Sequence, residues 1–76
     1  MNRPLNSDLV SMIQNAIKDC YNYGSGQVED EREEESITVY TEWVEGKNGY
    51  SVINITVAVD GVIKFSYDDY GTECSN

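Results

Sequence analysis

The chain has 76 residues, and its 14 acidic and 5 basic residues give it a net charge of −9. A domain of this size buries only about 60 to 65% of its unfolded surface, so a deep catalytic pocket would compete with the core for few apolar residues. Binding to nucleic-acid phosphates or to anionic membranes requires clustered cations, which this composition excludes. We therefore expect one small domain, residues 1–76, that is not an enzyme and for which basic proteins are plausible partners.

The absence of histidine and the presence of only two cysteines exclude most kinds of catalytic and metal-binding site. With no histidine, the commonest general base and the commonest transition-metal ligand are missing. Cys20 and Cys74 are too few and too far apart for a zinc site or a disulfide framework, and Cys20 is predicted to be a reduced core thiol. An apolar signal segment and a run of membrane-spanning length are both absent. The predictions are no catalytic residue, no metal site and no cofactor, in a soluble intracellular protein.

The first predicted element is an amphipathic helix. Apolar residues recur at helical spacing and define one face: Leu5, Leu9, Met12, Ile13, Ala16, Ile17 and Cys20. Asn6 or Ser7 can cap the start of this helix, and Gly24 suits a left-handed stop. We expect the helix to close one side of a sheet.

A dense acidic run follows a short glycine-containing connection. Six of the seven residues from Glu29 to Glu35 are acidic, and such blocks are usually solvated, so 25–35 is predicted to be an acidic loop or the lead-in to an edge strand. If extended, the run would place a carboxylate about every 3.3 Å, close to the roughly 3.4 Å of axis per phosphate in one strand of a duplex. The spaced ligands and internal glycine of an EF-hand calcium loop are absent.

Three strands are predicted after the acidic run, at 36–44, at 50–59 and from 62 onward, each with apolar residues at odd-numbered positions. The predicted fold class is α+β: one N-terminal helix packed on a three-stranded antiparallel β-meander (αβββ). The first and third strands would then be edges, protected by charge.

Turn length sets the predicted register. A three-residue turn at 47–49 pairs Trp43 with Ile53 and keeps the odd-numbered residues on one face. At the second turn, a two-residue Asp60-Gly61 connection would bury Lys64 and Ser66. A three-residue turn at 59–61 is therefore predicted, and it pairs Val57 with Ile63 and Ile55 with Phe65.

Glu35-Ser36-Ile37, on the first predicted strand of an acidic protein of this size, resembles the phage-encoded uracil-DNA glycosylase inhibitors. In that family a Glu-Ser-Ile segment lies on an edge strand and enters the DNA-binding groove of the glycosylase. Downstream of the motif, the family has an acid, a valine and an acid at the positions of Glu42, Val44 and Glu45. Residues 7–10 resemble the opening of the family's first helix. The interval between helix and motif is longer here, and Thr41 replaces a proline that helps to begin a second helix.

The resemblance implies an acidic DNA mimic that blocks the DNA-binding groove of an enzyme, with uracil-DNA glycosylase as the preferred target. It implies a one-to-one complex in the cytoplasm of a bacterial host. Glu35 and Ser36 would replace phosphate contacts, while neighbouring acids add charge and Tyr40 and Val44 add apolar contact. The predicted partner-binding residues are Glu31, Glu33, Glu34, Glu35, Ser36, Ile37, Tyr40, Glu42, Val44 and Glu45.

Other hypotheses stay open on the same residues. Acids that imitate phosphates would also fit a restriction or CRISPR nuclease, which gives an anti-restriction or anti-CRISPR inhibitor. An antitoxin or immunity protein would use the acidic face to cover a basic toxin. An accessory domain with no inhibitory role is a further alternative.

Overall fold

A computed structural model describes residues 5–31, 35–47 and 49–74 of the chain. It contains one helix followed by a four-stranded antiparallel sheet in the order β1-β2-β3-β4. The elements are α1 (Leu5–Tyr23), β1 (Ser25–Glu31), β2 (Ser36–Glu45), β3 (Ser51–Val59) and β4 (Val62–Cys74). The α+β class is confirmed, whereas the predicted number of strands is wrong by one.

Helix α1 packs the predicted apolar face against the sheet. Its buried residues are Met12, Ala16 and Cys20, and the half-buried residues beside them are Leu9, Ile13 and Ile17. The helix begins at Leu5, so Asn6 and Ser7, the predicted caps, lie within it. It ends where predicted, because Gly24 adopts a positive φ of 89° and its N–H donates to the Cys20 carbonyl at 2.8 Å.

Strand β1 replaces the predicted acidic loop or lead-in over residues 25–31. It pairs along its whole length with β2, from Ser25 opposite Glu42 to Glu31 opposite Ser36. Val28 packs against the core, and backbone pairing with β2 satisfies the main-chain hydrogen bonds. These gains outweigh the repulsion between acids, because alternation sends neighbouring carboxylates to opposite faces. The predicted site residues Glu33 and Glu34 lie outside the described residues.

Strand β2 is consequently an internal strand, not the predicted edge. Its pairing with β3 is as predicted, with Trp43 opposite Ile53 and Val39 opposite Val57. Gly49, in the predicted turn, has a positive φ of 79°. Thr41, at the place of the family's proline, is buried in the middle of the strand. The odd-numbered face of β2 and β3 forms the core against α1.

The turn between β3 and β4 is shorter than predicted. Val59 pairs with Val62, so Asp60 and Gly61 alone make the turn. Both central residues have positive φ, 53° and 82°, the combination that two-residue hairpins with a right-handed strand twist require. The predicted three-residue turn at 59–61 is therefore wrong.

A β-bulge directly after this turn restores the apolar face. Ala58 pairs with Ile63 and Val57 with Phe65, so Lys64 is the extra residue. The predicted partner of Val57 is Ile63, whereas its observed partner is Phe65, two positions further along β4. A two-residue turn without a bulge would bury Lys64 and Ser66. Because the bulge shifts the register by one residue, both side chains stay out of the core.

The helix covers only half of the sheet. It packs on β1 and β2 and reaches β3 slightly, and the Tyr21 hydroxyl bonds the Thr72 carbonyl at 3.3 Å near the end of β4. The prediction that α1 covers the sheet therefore holds for β1 and β2 but not for β4. The radius of gyration, 13.1 Å, exceeds the roughly 11 Å of a compact chain of this length.

Candidate functional site

The sheet face turned away from α1 is the outer face, and it is largely polar. Strand pairing and alternation assign side chains from all four strands to it. Its polar members are Gln27, Glu29, Glu31, Ser36, Thr38, Tyr40, Glu42, Asn54, Thr56, Ser66 and Asp68. This face is the largest surface that the single helix leaves open.

The carboxylates on the outer face are Glu29, Glu31, Glu42 and Asp68. Glu29 and Glu31 are two residues apart on β1, so their side chains are separated by about 6.6 Å. Asp30, between them, is on the face of the helix. The expected carboxylate about every 3.3 Å along the chain therefore alternates between two faces, and the spacing on the outer face alone corresponds to every second phosphate of one DNA strand.

A shallow depression of about 390 Å³ lies at the centre of the outer face. It spans β1, β2 and β3, and it is lined by Ser25, Gly26, Gln27, Tyr40, Thr41, Glu42, Asn54 and Thr56. The Tyr40 side chain is 44% exposed there. An aromatic ring beside a carboxylate, Tyr40 and Glu42, is a suitable receptor for an ammonium or guanidinium group.

Hydrogen bonds between side chains hold one wall of this depression. The Asn54 amide nitrogen donates to Asp68 Oδ1 at 2.9 Å, and the Thr56 and Ser66 hydroxyls lie 3.0 Å apart. Asn54 Oδ1, on the side chain, lies 3.2 Å from the Thr56 hydroxyl and 3.3 Å from the Ser66 hydroxyl, so one hydroxyl donates to it while the other donates across the hydroxyl pair. This ladder ties β3 to β4 and presents a pre-formed surface.

Two described residues of the acidic run, Glu31 and Glu35, lie at one end of the β1–β2 pair. Glu31 pairs with Ser36, and Glu35 directly precedes β2. The adjacent turn closes this end, because the Ser36 N–H donates to Asp60 Oδ1 at 2.9 Å and the Asp60 N–H donates to the Ser36 carbonyl at 2.8 Å. Acidic residues from two hairpins thus meet at one end of the sheet.

The structure brings together five of the predicted site residues on the outer face: Glu31, Ser36, Tyr40, Glu42 and Val44. Glu35 is half-buried at the hairpin end. Ile37 is 1% exposed and belongs to the core, so its side chain is unavailable to a partner. Glu45 is exposed but lies at the opposite end of β2, on the face of the helix.

Four outer-face residues near Tyr40 are absent from the predicted site: Gln27, Asn54 and Thr56, which line the depression, and Glu29, which is diagonal to Tyr40 across the β1–β2 pair. Gln27 and Glu29 lie on β1, whose core-facing residues include a single apolar side chain, Val28, so alternation alone does not reveal this strand. The other two face away from the core on β3, and only the register of β2 with β3 places them beside Tyr40.

The cysteine in the core, Cys20, has the properties of a structural residue. Burial raises the pKa of its thiol, an effect partly offset by a hydrogen bond with Thr41. The side chain is fully buried and free of a disulfide. A reactive cysteine needs exposure and a lowered pKa, so Cys20 is unsuited to nucleophilic chemistry.

Comparison with protein-family models, with curated proteins and with solved structures gives no match for this chain. In the described ranges 5–31, 35–47 and 49–74, no three acidic or cysteine side chains converge as metal ligands. The helix in those ranges lacks the length and apolarity needed to cross a membrane. The observations that bear on function are accordingly those of the outer face.

Proposed function

We propose that this protein is an acidic inhibitor that occupies the DNA-binding groove of a DNA-processing enzyme with its outer face, uracil-DNA glycosylase being the preferred target. The observation that carries the proposal is the row of carboxylates on the outer face of the β1–β2 pair: Glu29 and Glu31 on β1, and Glu42 beside Tyr40 on β2. The two strands that present them, β1 and β2, contain no lysine or arginine. A cationic surface would therefore meet uninterrupted negative charge.

The groove of an enzyme that binds DNA is lined with lysine and arginine side chains placed for phosphates. One such side chain fits the depression, over the Tyr40 ring and beside the Glu42 carboxylate. Glu29 and Glu31 then face further cations at about 6.6 Å spacing. Because the sheet is already ordered, the inhibitor loses little conformational freedom on binding.

Glycosylase is preferred as the target because of Glu35 and Ser36, the residues that carry the resemblance to phage-encoded glycosylase inhibitors. Since β2 is internal, we propose contact through its outer face and the hairpin end instead of through a strand edge. The complex contains one inhibitor chain per enzyme and forms in the bacterial cytoplasm.

The test is excision of uracil from duplex DNA by glycosylases of several bacterial sources, with inhibitor added at stoichiometric amounts. We expect excision to stop, excess DNA to relieve inhibition, and higher ionic strength to weaken it, because salt screens the charge pairs. Unchanged excision with every enzyme would exclude this target. Capture of a restriction or CRISPR nuclease from a bacterial lysate would then identify the alternative.

A further inference from the structure

The two free edges of the sheet differ in their protection against pairing. Edge strand β1 is short, with three acids among its seven residues, Glu29, Asp30 and Glu31. Edge strand β4 has 13 residues, and its first half, 62–67, carries a single charge, at Lys64. Long edges with few charges are templates for strand addition, and beyond the bulge at Lys64 the strand pairs regularly with β3 from Phe65 to Asp69.

An aromatic stripe runs along the first half of β4 on the face of the helix. Phe65 and Tyr67 are 43% and 41% exposed, and their rings stack with centroids 6.1 Å apart. Val62, opposite Val59 at the start of the strand, is 58% exposed. Because α1 stops short of β4, the helix leaves these side chains partly exposed.

The sequence of β4 is complementary to itself when it runs antiparallel about Ser66. Phe65 is then opposite Tyr67 of the second copy, and Lys64 is opposite Asp68 of the second copy. Each pair occurs twice by symmetry. Opposed side chains in such a ladder have Cβ atoms about 4.5 to 5.5 Å apart, close enough for ring stacking and ion pairing.

Neighbouring registers lose this match. With the symmetry axis at Phe65, Lys64 faces Ser66 of the second copy and the charges no longer pair. With the axis at Tyr67, Phe65 faces Asp69 of the second copy, which sets a ring against a carboxylate. Of these three registers, the axis at Ser66 is the one that pairs Phe65 with Tyr67 and Lys64 with Asp68, over residues 64–68.

We propose that two copies of this chain associate through β4, antiparallel about Ser66, into one continuous eight-stranded sheet. The Asn54 amide already orients Asp68 by bonding its Oδ1 at 2.9 Å, so Oδ2 can accept from Lys64 of the second copy. The four rings of Phe65 and Tyr67 form a shared cluster between the two helices. This assembly is independent of the proposed function, because β1 and β2 stay exposed at its two ends.

Charge exchange across the axis provides the test. Lys64→Glu alone places two like-charged acidic pairs in the interface, and Asp68→Lys alone places two like-charged basic pairs there. In an equimolar mixture of the two variants, every charged pair of the mixed dimer is again of opposite sign. Lys18→Glu, on the exposed surface of α1, is the matched control for loss of a lysine.

Sedimentation equilibrium and native mass spectrometry measure the outcome. We expect wild type and Lys18→Glu to have twice the 8.6 kDa mass of one chain. The dimer dissociation constant of each interface variant should be higher than that of wild type by a factor of roughly ten or more. The mixture should regain the dimer as a heterodimer, which also shows that both variants are folded. A monomeric wild type at millimolar concentration overturns the proposal, and so does a dimer that neither variant weakens.

Discussion

At the scale of single residues, the approach of helix α1 to the sheet depends on Gly26 and Thr41. A Cβ atom at Gly26 would collide with the Ala16 carbonyl oxygen and would lie 2.5 Å from the Thr41 hydroxyl oxygen. That hydroxyl donates to the same Ala16 carbonyl at 2.7 Å. The helix therefore docks on β1 and β2 at a distance that one methyl group would forbid.

We expect Gly26→Ala to destabilise the protein by about 1 to 3 kcal/mol, because the helix or the strand must shift to admit the methyl group. Chemical denaturation followed by circular dichroism measures the free energy of unfolding. Ser25→Ala, at the neighbouring exposed position, is the control and should change it by less than about 0.5 kcal/mol. Equal effects of the two substitutions would contradict the close contact.

Burial of Cys20 predicts a loss of stability in alkaline solution. Because burial raises the pKa of its thiol in the folded state, the unfolded chain releases this proton at lower pH than the folded chain does. The stabilisation is complete below the ordinary thiol pKa of about 8.5 and is lost as pH rises towards the folded value.

The measurement is the free energy of unfolding of wild type and Cys20→Ala across the interval from neutral pH to just above the ordinary thiol pKa. We expect the advantage of wild type over the variant to shrink steadily as the pH rises. An advantage that stays constant over this interval would show that the thiol titrates alike in the folded and unfolded chains.

At the scale of elements, the Thr72 side chain holds the C-terminal end of β4, where the regular hydrogen-bond ladder with β3 is interrupted. The register shifts between the pairs Ser51 with Cys74 and Ile53 with Asp69. In this gap the buried Thr72 hydroxyl accepts from the Ile53 N–H at 2.9 Å and donates to the Asp69 carbonyl at 2.5 Å. One hydroxyl thus replaces two backbone partners.

Thr72→Val is nearly isosteric and removes this hydroxyl, which leaves the buried Ile53 N–H unsatisfied. We expect a loss of about 1 to 3 kcal/mol of stability. Thr72→Ser keeps the hydroxyl and should retain most of the stability. Thermal or chemical unfolding measures the stability of both variants. Similar losses of stability in Thr72→Val and Thr72→Ser would mean that the threonine methyl group, not the hydroxyl, holds the strand end.

The helix and the β2–β3 hairpin were predictable because each has a clean periodicity and a turn that fixes its register. Strand β1 was not, since its core-facing residues, Gly26, Val28 and Asp30, contain a single apolar side chain. The β3–β4 register depends on a bulge at Lys64, and no local sequence pattern predicts this bulge. Tyr40 and Glu42 followed from alternation, whereas Asn54 joins them only through strand pairing.

At the scale of the whole molecule, one helix on four strands divides the protein into two regions. The helix packs on one face of β1 and β2, and the outer face of those strands carries Tyr40 and the acids Glu29, Glu31 and Glu42. Strand β4 extends beyond the helix and is free at its edge. The two proposed interactions, with a cationic partner and with a second copy, therefore use different surfaces of the domain.

We propose that particular carboxylates, and not the net charge of −9, engage a cationic groove. Two double variants each remove two negative charges. Glu29→Gln/Glu42→Gln changes the outer face beside Tyr40, whereas Asp19→Asn/Glu45→Gln changes the helix and the helix-facing end of β2.

The most direct measurement is inhibition of uracil excision by wild type and by both double variants at increasing concentration. We predict that wild type and Asp19→Asn/Glu45→Gln inhibit at one chain per enzyme. Glu29→Gln/Glu42→Gln should need at least about tenfold more protein, because each lost charge-assisted contact contributes about 1.5 to 3 kcal/mol. Equal weakening by the two double variants, or no inhibition by wild type, would contradict the account.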